Sequence, residues 1–327
     1  MAILVAGGAG YIGSHVCKML HKKGFDVVVY DNLSHGYRSF ARWGDFVQGD
    51  IGDTTHLDFI FKNYSIDVVM HFCAFIEVAE SVDAPEKYYK NNVRNTITLL
   101  EVMRKHNINK FIFSSTAAVY GMPEQMPIRE EDRKLPINPY GRSKLMVEEI
   151  LDDYAAAYDF ISIRFRYFNA AGADPEREIG EAHVPETHLI PLILDAAAGK
   201  RECIKIFGTD YETKDGTCVR DYIHVNDLAD AHSRGVAYLL DGGETNYFNL
   251  GSGSGFTVRE MIETARRVTN KNFTAVETER RAGDPHSLIA SSDKAQRILH
   301  WKLTCSLEDI VSTAWNWHQH MIGTTLH

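Results

Sequence analysis

The chain has 327 residues, of which 44% are hydrophobic and 24% are charged, a composition typical of a globular protein with one large α/β unit or two domains that share a cleft. Its net charge of -9 disfavours nucleic acid as a partner, and it contains no run of about 20 apolar residues that could span a membrane. The five cysteines form no C-x-x-C pair and the 15 histidines form no H-E-x-x-H motif, so we expect reduced thiols in a cytoplasmic protein and no metal site.

Short β-branched runs alternate with longer helical segments in the first half of the chain. Strands are predicted at residues 3–6, 27–30, 68–71, 111–115 and 161–165, and helices at residues 11–23, 85–106 and 140–158. This alternation predicts an α/β fold with a doubly wound parallel sheet of the Rossmann type. We expect residues 1–170 to form the first domain and residues 171–327 a smaller, mixed α/β substrate domain. Residues 219–250 are expected to return to the first domain, because residues 247–250 resemble one more buried strand.

A glycine-rich turn follows the first predicted strand and opens the first helix. Gly7 permits the tight turn, Gly10 lets a pyrophosphate approach the backbone, and Gly13 lets the helix pack closely on the sheet. Asp31 ends the second predicted strand, where a carboxylate accepts the hydroxyl groups of an adenosine ribose and repels a 2′-phosphate. Similar glycines and a similar aspartate also occur in turns that bind no ligand. Here the strand–turn–helix setting of the glycines favours a dinucleotide site, and the carboxylate of Asp31 favours NAD over NADP.

Tyr140 and Lys144 lie four residues apart on a predicted helix, and their side chains therefore share a face. An ammonium about 5 Å from a phenol favours the phenolate by about 3 kcal/mol at an effective dielectric constant near 20. The sequence therefore predicts that Tyr140 acts as a general base at neutral pH. Thr116 follows the strand at residues 111–115, so that its hydroxyl either bridges Tyr140 and a substrate hydroxyl or caps the next turn. An exposed helical Tyr/Lys pair without chemistry is the alternative.

Several motifs together resemble the UDP-glucose 4-epimerases, a family of extended short-chain dehydrogenases/reductases. In the first half they are GGAGYIGSH at residues 7–15, DNLSHG at 31–36, GDI at 49–51, YYKNNV at 88–93, FSSTAAVYG at 113–121 and PYGRSKLMVE at 139–148. In the second half they are RYFNAAGA at 166–173 and FGTDYETKDGTCVRDYIHVNDLADAH at 207–232. The resemblance covers nearly the whole chain, and the last motif is its most specific part.

The resemblance implies a set of residues for each ligand and a homodimer formed by the helices near residues 92–106 and 141–157. Besides the three glycines, the NAD contacts it implies are Tyr11, Ile12, Asp31, Asn32, Asp50, Ile51, Phe72, Asn91, Tyr140, Lys144 and Phe168. The implied contacts to a UDP-sugar are Thr116, Tyr140, Asn169, His188, Leu189, Phe207, Arg220, Arg281, Asp284 and Leu288. Taken alone, the two arginines would equally suit surface ion pairs, and Phe207 would equally suit a hydrophobic core.

The chain departs from the enterobacterial members of the family at three positions. Ile76 stands where they have a lysine, His188 where they have an asparagine, and Leu288 where they have a tyrosine that lines the hexose pocket. Leucine is shorter and forms no hydrogen bond, so the pocket could admit an N-acetyl group. UDP-GlcNAc/UDP-GalNAc are therefore alternative substrates. UDP-pentoses and UDP-hexuronates are further alternatives within the same class of enzyme.

Reversible oxidation is the reaction that the resemblance implies: Tyr140 takes the proton of the sugar 4-hydroxyl while hydride passes from C4 to NAD and later returns to the other face. Relatives that catalyse 4,6-dehydration place carboxylates directly after the threonine, where this chain has Ala117 and Ala118. Elimination is therefore disfavoured. An NAD-binding sensor that catalyses no reaction is the alternative from a different functional class. Such a sensor would not need Tyr140, Lys144 and Thr116.

Overall fold

A seven-stranded parallel sheet forms the centre of the computed structural model, which describes residues 1–281, 285–324 and 326. Its strands are β1 (Ala2–Ala6), β2 (Asp26–Asp31), β3 (Asp45–Gln48), β4 (Ile66–His71), β5 (Lys110–Thr116), β6 (Ile161–Tyr167) and β11 (Asn246–Leu250). They lie in the order β11-β6-β5-β4-β1-β2-β3, and every neighbouring pair is parallel. The predicted doubly wound α/β fold is confirmed, and the strand expected at residues 247–250 pairs with β6.

Helices cover both faces of this sheet because its strands are apolar on both sides. On one face, α1 (Tyr11–Lys22), α8 (Val225–Leu240) and α10 (Asp293–Leu299) bury side chains such as Leu20 and Leu239. On the other face lie α2 (Thr54–Asn63), α5 (Asn95–Lys105) and α6 (Pro139–Tyr158), whose buried side chains include Leu57 and Leu151. The shorter helices α3 (Val78–Asp83) and α4 (Pro85–Tyr88) precede a π-helix at Tyr89–Arg94.

Short strands and three helices form a smaller mixed unit around a separate apolar cluster. Its strands are β7 (Asn169–Ala171), β8 (Cys203–Phe207), β9 (Val219–Arg220), β10 (Tyr222–His224), β12 (Phe256–Thr257), β13 (Thr274–Thr278) and β14 (Ser287–Leu288), and its helices are α7 (Leu189–Ala197), α9 (Val258–Thr269) and α11 (Leu307–His320). They form the groups β10-β7, β12-β9-β14 and β13-β8. No helix in the described ranges combines the length and apolarity needed to cross a membrane.

Three buried histidines make the stability of this fold sensitive to acid. Burial lowers the pKa of His71 to about 3 and the pKa values of His15 and His232 to about 4. The unfolded chain binds protons at these residues below an ordinary pKa of about 6.5, so between about pH 6.5 and 4 it holds more protons than the folded chain. The free energy of unfolding is therefore expected to fall as the pH decreases through that window, by up to about 1.4 kcal/mol per pH unit for each histidine.

Urea unfolding midpoints measured between about pH 7 and pH 5 test this expectation. The pH dependence should be weaker in His71→Gln than in the unchanged protein. The matched substitution at the exposed His300, His300→Gln, should leave it unaltered. Equal pH slopes for all three proteins would show that acid acts elsewhere.

Candidate functional site

A cleft lies at the carboxyl edge of the sheet, beside the ends of β1 and β4. These two strands are neighbours although the chain passes from β1 to β2 on the other side, and parallel sheets bind ligands at such a reversal. Eight residues predicted from the sequence line the cleft: Gly7, Gly10, Asp31, Asn32, Asp50, Ile51, Phe72 and Asn91. The sequence analysis missed another eight: Tyr30, Ser34, His35, Gly36, Gly49, Cys73, Ala74 and Phe75.

Three glycines bring the backbone of the first turn close to this cleft. Gly7 has a φ of +82°, and a Cβ there would lie 2.6 Å from the backbone nitrogen of Cys73. At Gly13, a Cβ would lie 2.2 Å from the carbonyl oxygen of Gly7. At Gly10 it would meet only that same oxygen, at 3.4 Å, so Gly10 leaves the approach to the turn open. No side chain caps the start of α1, whose backbone N–H groups are therefore available to an anion.

The carboxylate of Asp31 is held in one orientation by the backbone. Its Oδ2 accepts a hydrogen bond from the Ala9 nitrogen at 2.9 Å, and its Oδ1 accepts one from the Leu33 nitrogen at 2.8 Å. Burial raises its pKa, while these two hydrogen bonds act in the opposite direction. Each oxygen keeps a second lone pair, so the side chain can also accept hydrogen bonds from a ligand.

The other predicted cofactor residues surround the cleft on several elements. The Tyr11 hydroxyl donates to the Gly172 carbonyl at 2.6 Å, and Ile12 lies beside it at the start of α1. Asn32 Nδ2 donates to Asp50 Oδ2 at 2.7 Å. Asn91 lies in the π-helix and donates from Nδ2 to the carbonyl oxygen of Cys73 at 3.2 Å. Phe168 is buried in a cluster with Ala117, Ala290 and partly buried Leu288.

Thr116, Tyr140 and Lys144 meet at the ends of β5 and α6. The Thr116 hydroxyl acts to lower the pKa of the Tyr140 phenol, and it caps the next turn by accepting from the Ala118 nitrogen at 3.1 Å. The turn cap considered for Thr116 is therefore present, and its role as a bridge to a substrate hydroxyl stays a prediction. Lys144 donates from Nζ to the carbonyl oxygen of Ser114 at 2.6 Å. Its charge also interacts with Cys73, a residue of the cleft.

The predicted lowering of the Tyr140 pKa by Lys144 is wrong for the protein chain itself. Burial raises the pKa of Tyr140; the hydrogen bond with Thr116 acts to lower it, and the Glu77 carboxylate raises it further. Burial also lowers the pKa of Lys144 to about 7. The loss of hydration at both groups thus outweighs the attraction expected from their helical spacing.

The residues predicted to contact the UDP-sugar lie in several small groups in the smaller mixed unit. Arg281 lies over the ring of Phe207, 3.9 Å from its centroid, so this arginine is stacked on an aromatic face. Arg220 is directly opposite Leu288 in the β9–β14 register and donates to the carbonyl oxygens of Val219 and Pro285. Asn169 is exposed and donates from Nδ2 to the Asp221 carbonyl oxygen at 2.8 Å. Asp284 lies outside the described residues.

His188 and Leu189 begin the helix α7. Leu189 packs on the apolar cluster of the smaller unit. His188 is the N-cap residue, and its Nδ1 lies 2.8 Å from Glu181 Oε1 and 3.0 Å from Glu186 Oε1. Although burial acts to lower it, the pKa of His188 is raised to about 10 by the two carboxylates. Ile76, the third departure from the family pattern, is partly exposed.

Comparisons with known proteins identify the family of the chain. A family model described as GDP-mannose 4,6 dehydratase matches residues 4–314. A UDP-glucose 4-epimerase of Rhizobium leguminosarum bv. trifolii is 52% identical over 316 residues, which cover 97% of each chain. The crystal structure of UDP-glucose 4-epimerase from Brucella ovis in complex with NAD is similar with a TM-score of 0.95 and 47% identity, over 96% of this chain and 97% of that one. The structure of the UDP-Glc/GlcNAc 4-epimerase from Campylobacter jejuni has a TM-score of 0.86 and 42% identity, over 98% and 99% of the two chains.

Proposed function

The chain belongs to the UDP-glucose 4-epimerase family of extended short-chain dehydrogenases/reductases, and from this premise we propose that it interconverts UDP-glucose and UDP-galactose at C4 with NAD as its cofactor. One observation carries the proposal: Thr116 at the carboxyl end of β5 and Tyr140 at the start of α6 lie at the edge of the sheet where the predicted dinucleotide residues line a cleft. A 4-keto sugar is the intermediate of the reaction.

The cleft fits NAD by its backbone and by its charge. The uncapped start of α1, behind Gly10, suits the pyrophosphate, and the fixed carboxylate of Asp31 suits the hydroxyl groups of the adenosine ribose. We assign the remaining contacts to Tyr11, Ile12, Asn32, Asp50, Ile51, Phe72, Asn91, Lys144 and Phe168. When bound, NAD supplies reversible hydride transfer at C4 and a positive charge beside the phenol.

Tyr140 is the group that we propose to remove and return the proton of the sugar 4-hydroxyl. The Thr116 hydroxyl, which acts to lower the Tyr140 pKa, would donate to the phenol oxygen and stabilise the negative charge that develops there. Lys144 donates to the carbonyl oxygen of Ser114 and provides a cationic group on the same face of the helix as Tyr140. A general acid–base group works best when its pKa lies near the working pH. Because burial raises the pKa of Tyr140 in the protein alone, the positive nicotinamide ring of bound NAD would be needed to lower it.

We propose that residues 171–327 form the UDP-sugar domain and residues 1–170 the NAD domain, with 219–250 as the segment that returns to the NAD domain. Arg220 and Arg281 would hold the nucleotide part as fixed cations. Phe207 already has Arg281 on its face, so a uracil ring would either replace that guanidinium or use the other face. Asn169, His188, Leu189, Asp284 and Leu288 would complete the contacts.

Elimination of water from the sugar is not favoured by the residues after Thr116. The turn Ala117–Tyr120 begins with two alanines, which cannot remove the C5 proton or protonate the leaving 6-hydroxyl. This supports epimerisation over the dehydration that gives the matching family model its description.

Incubation of the purified protein with UDP-galactose, without added nucleotide, tests the proposal. We expect UDP-glucose to form until the two sugars reach equilibrium, because the cofactor is regenerated in every cycle. The product can be identified by NMR. Formation of a 6-deoxy-4-keto sugar would mean dehydration, and no product even with added NAD would contradict the proposal.

N-acetylated substrates form a second candidate, favoured by Leu288. This leucine is partly buried against the cluster that contains Phe168, and the related Campylobacter jejuni enzyme is described as acting on both sugar types. Turnover of UDP-GlcNAc and UDP-glucose by the same preparation decides between them. Activity confined to the plain hexoses would exclude the N-acetylated substrates.

Asp31→Asn is expected to weaken NAD binding by about 10–100-fold, because a hydrogen bond to a charged group contributes about 1.5–3 kcal/mol. The neutral amide would also repel a 2′-phosphate less, so NADP should bind relatively better. Affinities for both nucleotides can be measured by calorimetry. Asp26→Asn, at the exposed start of the same strand, is the control and should bind both as the unchanged protein does. An unaltered NADP-to-NAD ratio in Asp31→Asn would remove Asp31 from the ribose site.

We infer that the protein is a homodimer that associates through α5 and α6. A groove between these helices is lined by Tyr89, Val93, Arg94, Ile97, Thr98, Glu101 and Met146, and Met146 is 41% exposed. Met146→Glu should therefore give a monomer in sedimentation velocity experiments, whereas Leu135→Glu, at another exposed apolar residue, should remain dimeric. A monomeric unchanged protein would contradict the inference.

The location we propose is the cytoplasm, because none of the five cysteines, all within the described ranges, is in a disulfide.

A further inference from the structure

Four potential metal ligands converge in the loop before α7. Glu181, His183, Glu186 and His188 each offer one ligand atom, and these atoms all lie within 4.8 Å of one another. We propose that this cluster binds one divalent transition metal ion, with Zn²⁺ as the best match. The sequence analysis expected no metal because it considered cysteine pairs and the helical H-E-x-x-H spacing, and this E-x-H-x-x-E-x-H pattern is neither.

Distances within the cluster are close to those of a tetrahedral zinc site. Zn–N and Zn–O bonds of about 2.0–2.2 Å place neighbouring ligand atoms about 3.3–3.5 Å apart in a tetrahedron. Nδ1 of His183 lies 3.2 Å from Glu181 Oε1 and 3.9 Å from Glu186 Oε2. Nδ1 of His188 lies 2.8 Å and 3.0 Å from oxygens of the same two glutamates. These distances use both oxygens of Glu186, so one ion would be bound after shifts of the side chains.

The charge and chemistry of the four groups also match. Two carboxylates and two neutral imidazoles carry a charge of -2, which one divalent cation balances. Imidazole favours Zn²⁺ and its neighbours in the transition series over Mg²⁺ or Ca²⁺. The glutamates are mostly buried, with side chains 8% exposed at Glu181 and 17% at Glu186, so an unbalanced charge there would be costly.

Residues outside the cluster fix the loop in this shape. The carbonyl oxygen of Glu181 accepts from Trp317 Nε1 at 2.9 Å, and that of Ala182 accepts from the Tyr37 hydroxyl at 2.7 Å. Glu186 Oε1 accepts from the backbone nitrogens of Thr187 and His188, both at 2.8 Å. Such outer contacts orient metal ligands before the ion arrives.

A second group of carboxylates is already neutralised by a lysine. Asp174, Glu176 and Glu178 converge in the same loop, but Lys18 Nζ lies between them and donates to all three at 2.6–2.8 Å. No lysine or arginine is paired with Glu181 or Glu186 among the ion pairs of the described residues. Their carboxylates instead face the two imidazoles of the cluster.

A closed set of four protein ligands is typical of a structural site, because no coordination position is left for a substrate. The ion would tie the loop to His188, the N-cap residue of α7. The cluster lies beside Tyr11, whose ring lies edge-on to His183. Binding should therefore raise the melting temperature of the protein in proportion to the logarithm of the free metal concentration.

Calorimetric titration of the chelator-treated full-length protein with ZnCl₂ tests the proposal. We expect one Zn²⁺ per chain, with protons released on binding. His183→Gln should weaken binding by more than the ~10–100-fold that loss of an outer-shell partner causes, and it should abolish the rise in melting temperature. His318→Gln is the matched control, because it removes a single histidine–carboxylate pair, with Asp195 at 2.8 Å, and should bind Zn²⁺ as tightly as the unchanged protein.

Cobalt provides a second readout that separates this cluster from the cysteines. Co²⁺ bound here should give the intense visible bands of a tetrahedral site without thiolate charge-transfer bands. If His183→Gln does not fold, Glu186→Gln serves in its place. Absence of saturable binding, equal affinity in the cluster variant, or thiolate bands would each overturn the proposal and leave the cluster as a pair of histidine–glutamate ion pairs.

Discussion

Tyr140→Phe is expected to lower kcat for UDP-galactose by about 10²–10⁴-fold, the usual effect of removing a general acid–base group. The substitution deletes only the hydroxyl whose pKa Thr116 acts to lower and keeps the ring. Tyr140 sits in the first turn of α6, which Asn138 caps by accepting from the Gly141 nitrogen at 2.8 Å. The helix and the cleft should therefore be preserved, so the loss should appear in kcat and not in the amount of folded protein.

The affinity for NAD separates a catalytic effect from a structural one. It should change by less than a few-fold in Tyr140→Phe, since the groups assigned to the phosphates and the adenosine ribose lie on other elements. Tyr154→Phe is a suitable control, because Tyr154 lies on the same helix and burial raises its pKa too. Its turnover should be normal. A Tyr140→Phe enzyme within ten-fold of normal kcat would remove this phenol from the chemistry.

The sequence was sufficient to predict the parts of the fold that local pattern determines. The strands that flank the cleft are continuous apolar runs, and the helices between them are long, so both could be recognised. The analysis did not predict β3 or α2. β3 is a four-residue edge strand in which no residue is fully buried, so it lacks the apolar signal of the inner strands. The two-residue strands β9, β12 and β14 exist only through pairing with distant segments.

Contacts between distant elements account for the site features that the sequence could not predict. Asn91 was assigned to the site by motif, but the π-helix that carries it has no recognisable signal. The side chain of Lys144 shares a helix face with Tyr140 as predicted, yet its ammonium bonds to Ser114 on β5. Helical spacing predicts which residues are neighbours on a helix, but it does not predict the hydration that each loses on packing, and that loss decides both pKa values.

Glu148→Met is expected to lower the free energy of unfolding by about 3–5 kcal/mol, because it leaves a buried guanidinium without its counter-charge. Arg166 donates from Nε to Glu148 Oε1 at 2.9 Å and from the terminal nitrogen NH2 to Oε2 at 2.6 Å. Ser115 donates to the same Oε1 at 2.6 Å. Ser115 and Arg166 are opposite each other in the β5–β6 register, so one carboxylate ties α6 to two strands next to Thr116. Urea unfolding with linear extrapolation measures the change.

Two further variants identify the physical cause of that loss. Glu149→Met, at the exposed neighbouring position, makes the same chemical change and should alter stability by no more than about 0.5 kcal/mol. The double variant Glu148→Met/Arg166→Met removes both charges and should be more stable than Glu148→Met alone, since replacing a whole buried pair by apolar groups is often nearly neutral. If the double variant is no more stable than the single one, the loss comes from the shape of the packed side chains and not from the uncompensated charge. The distance between Tyr140 and Thr116 would then depend on packing around α6 instead of on this ion pair.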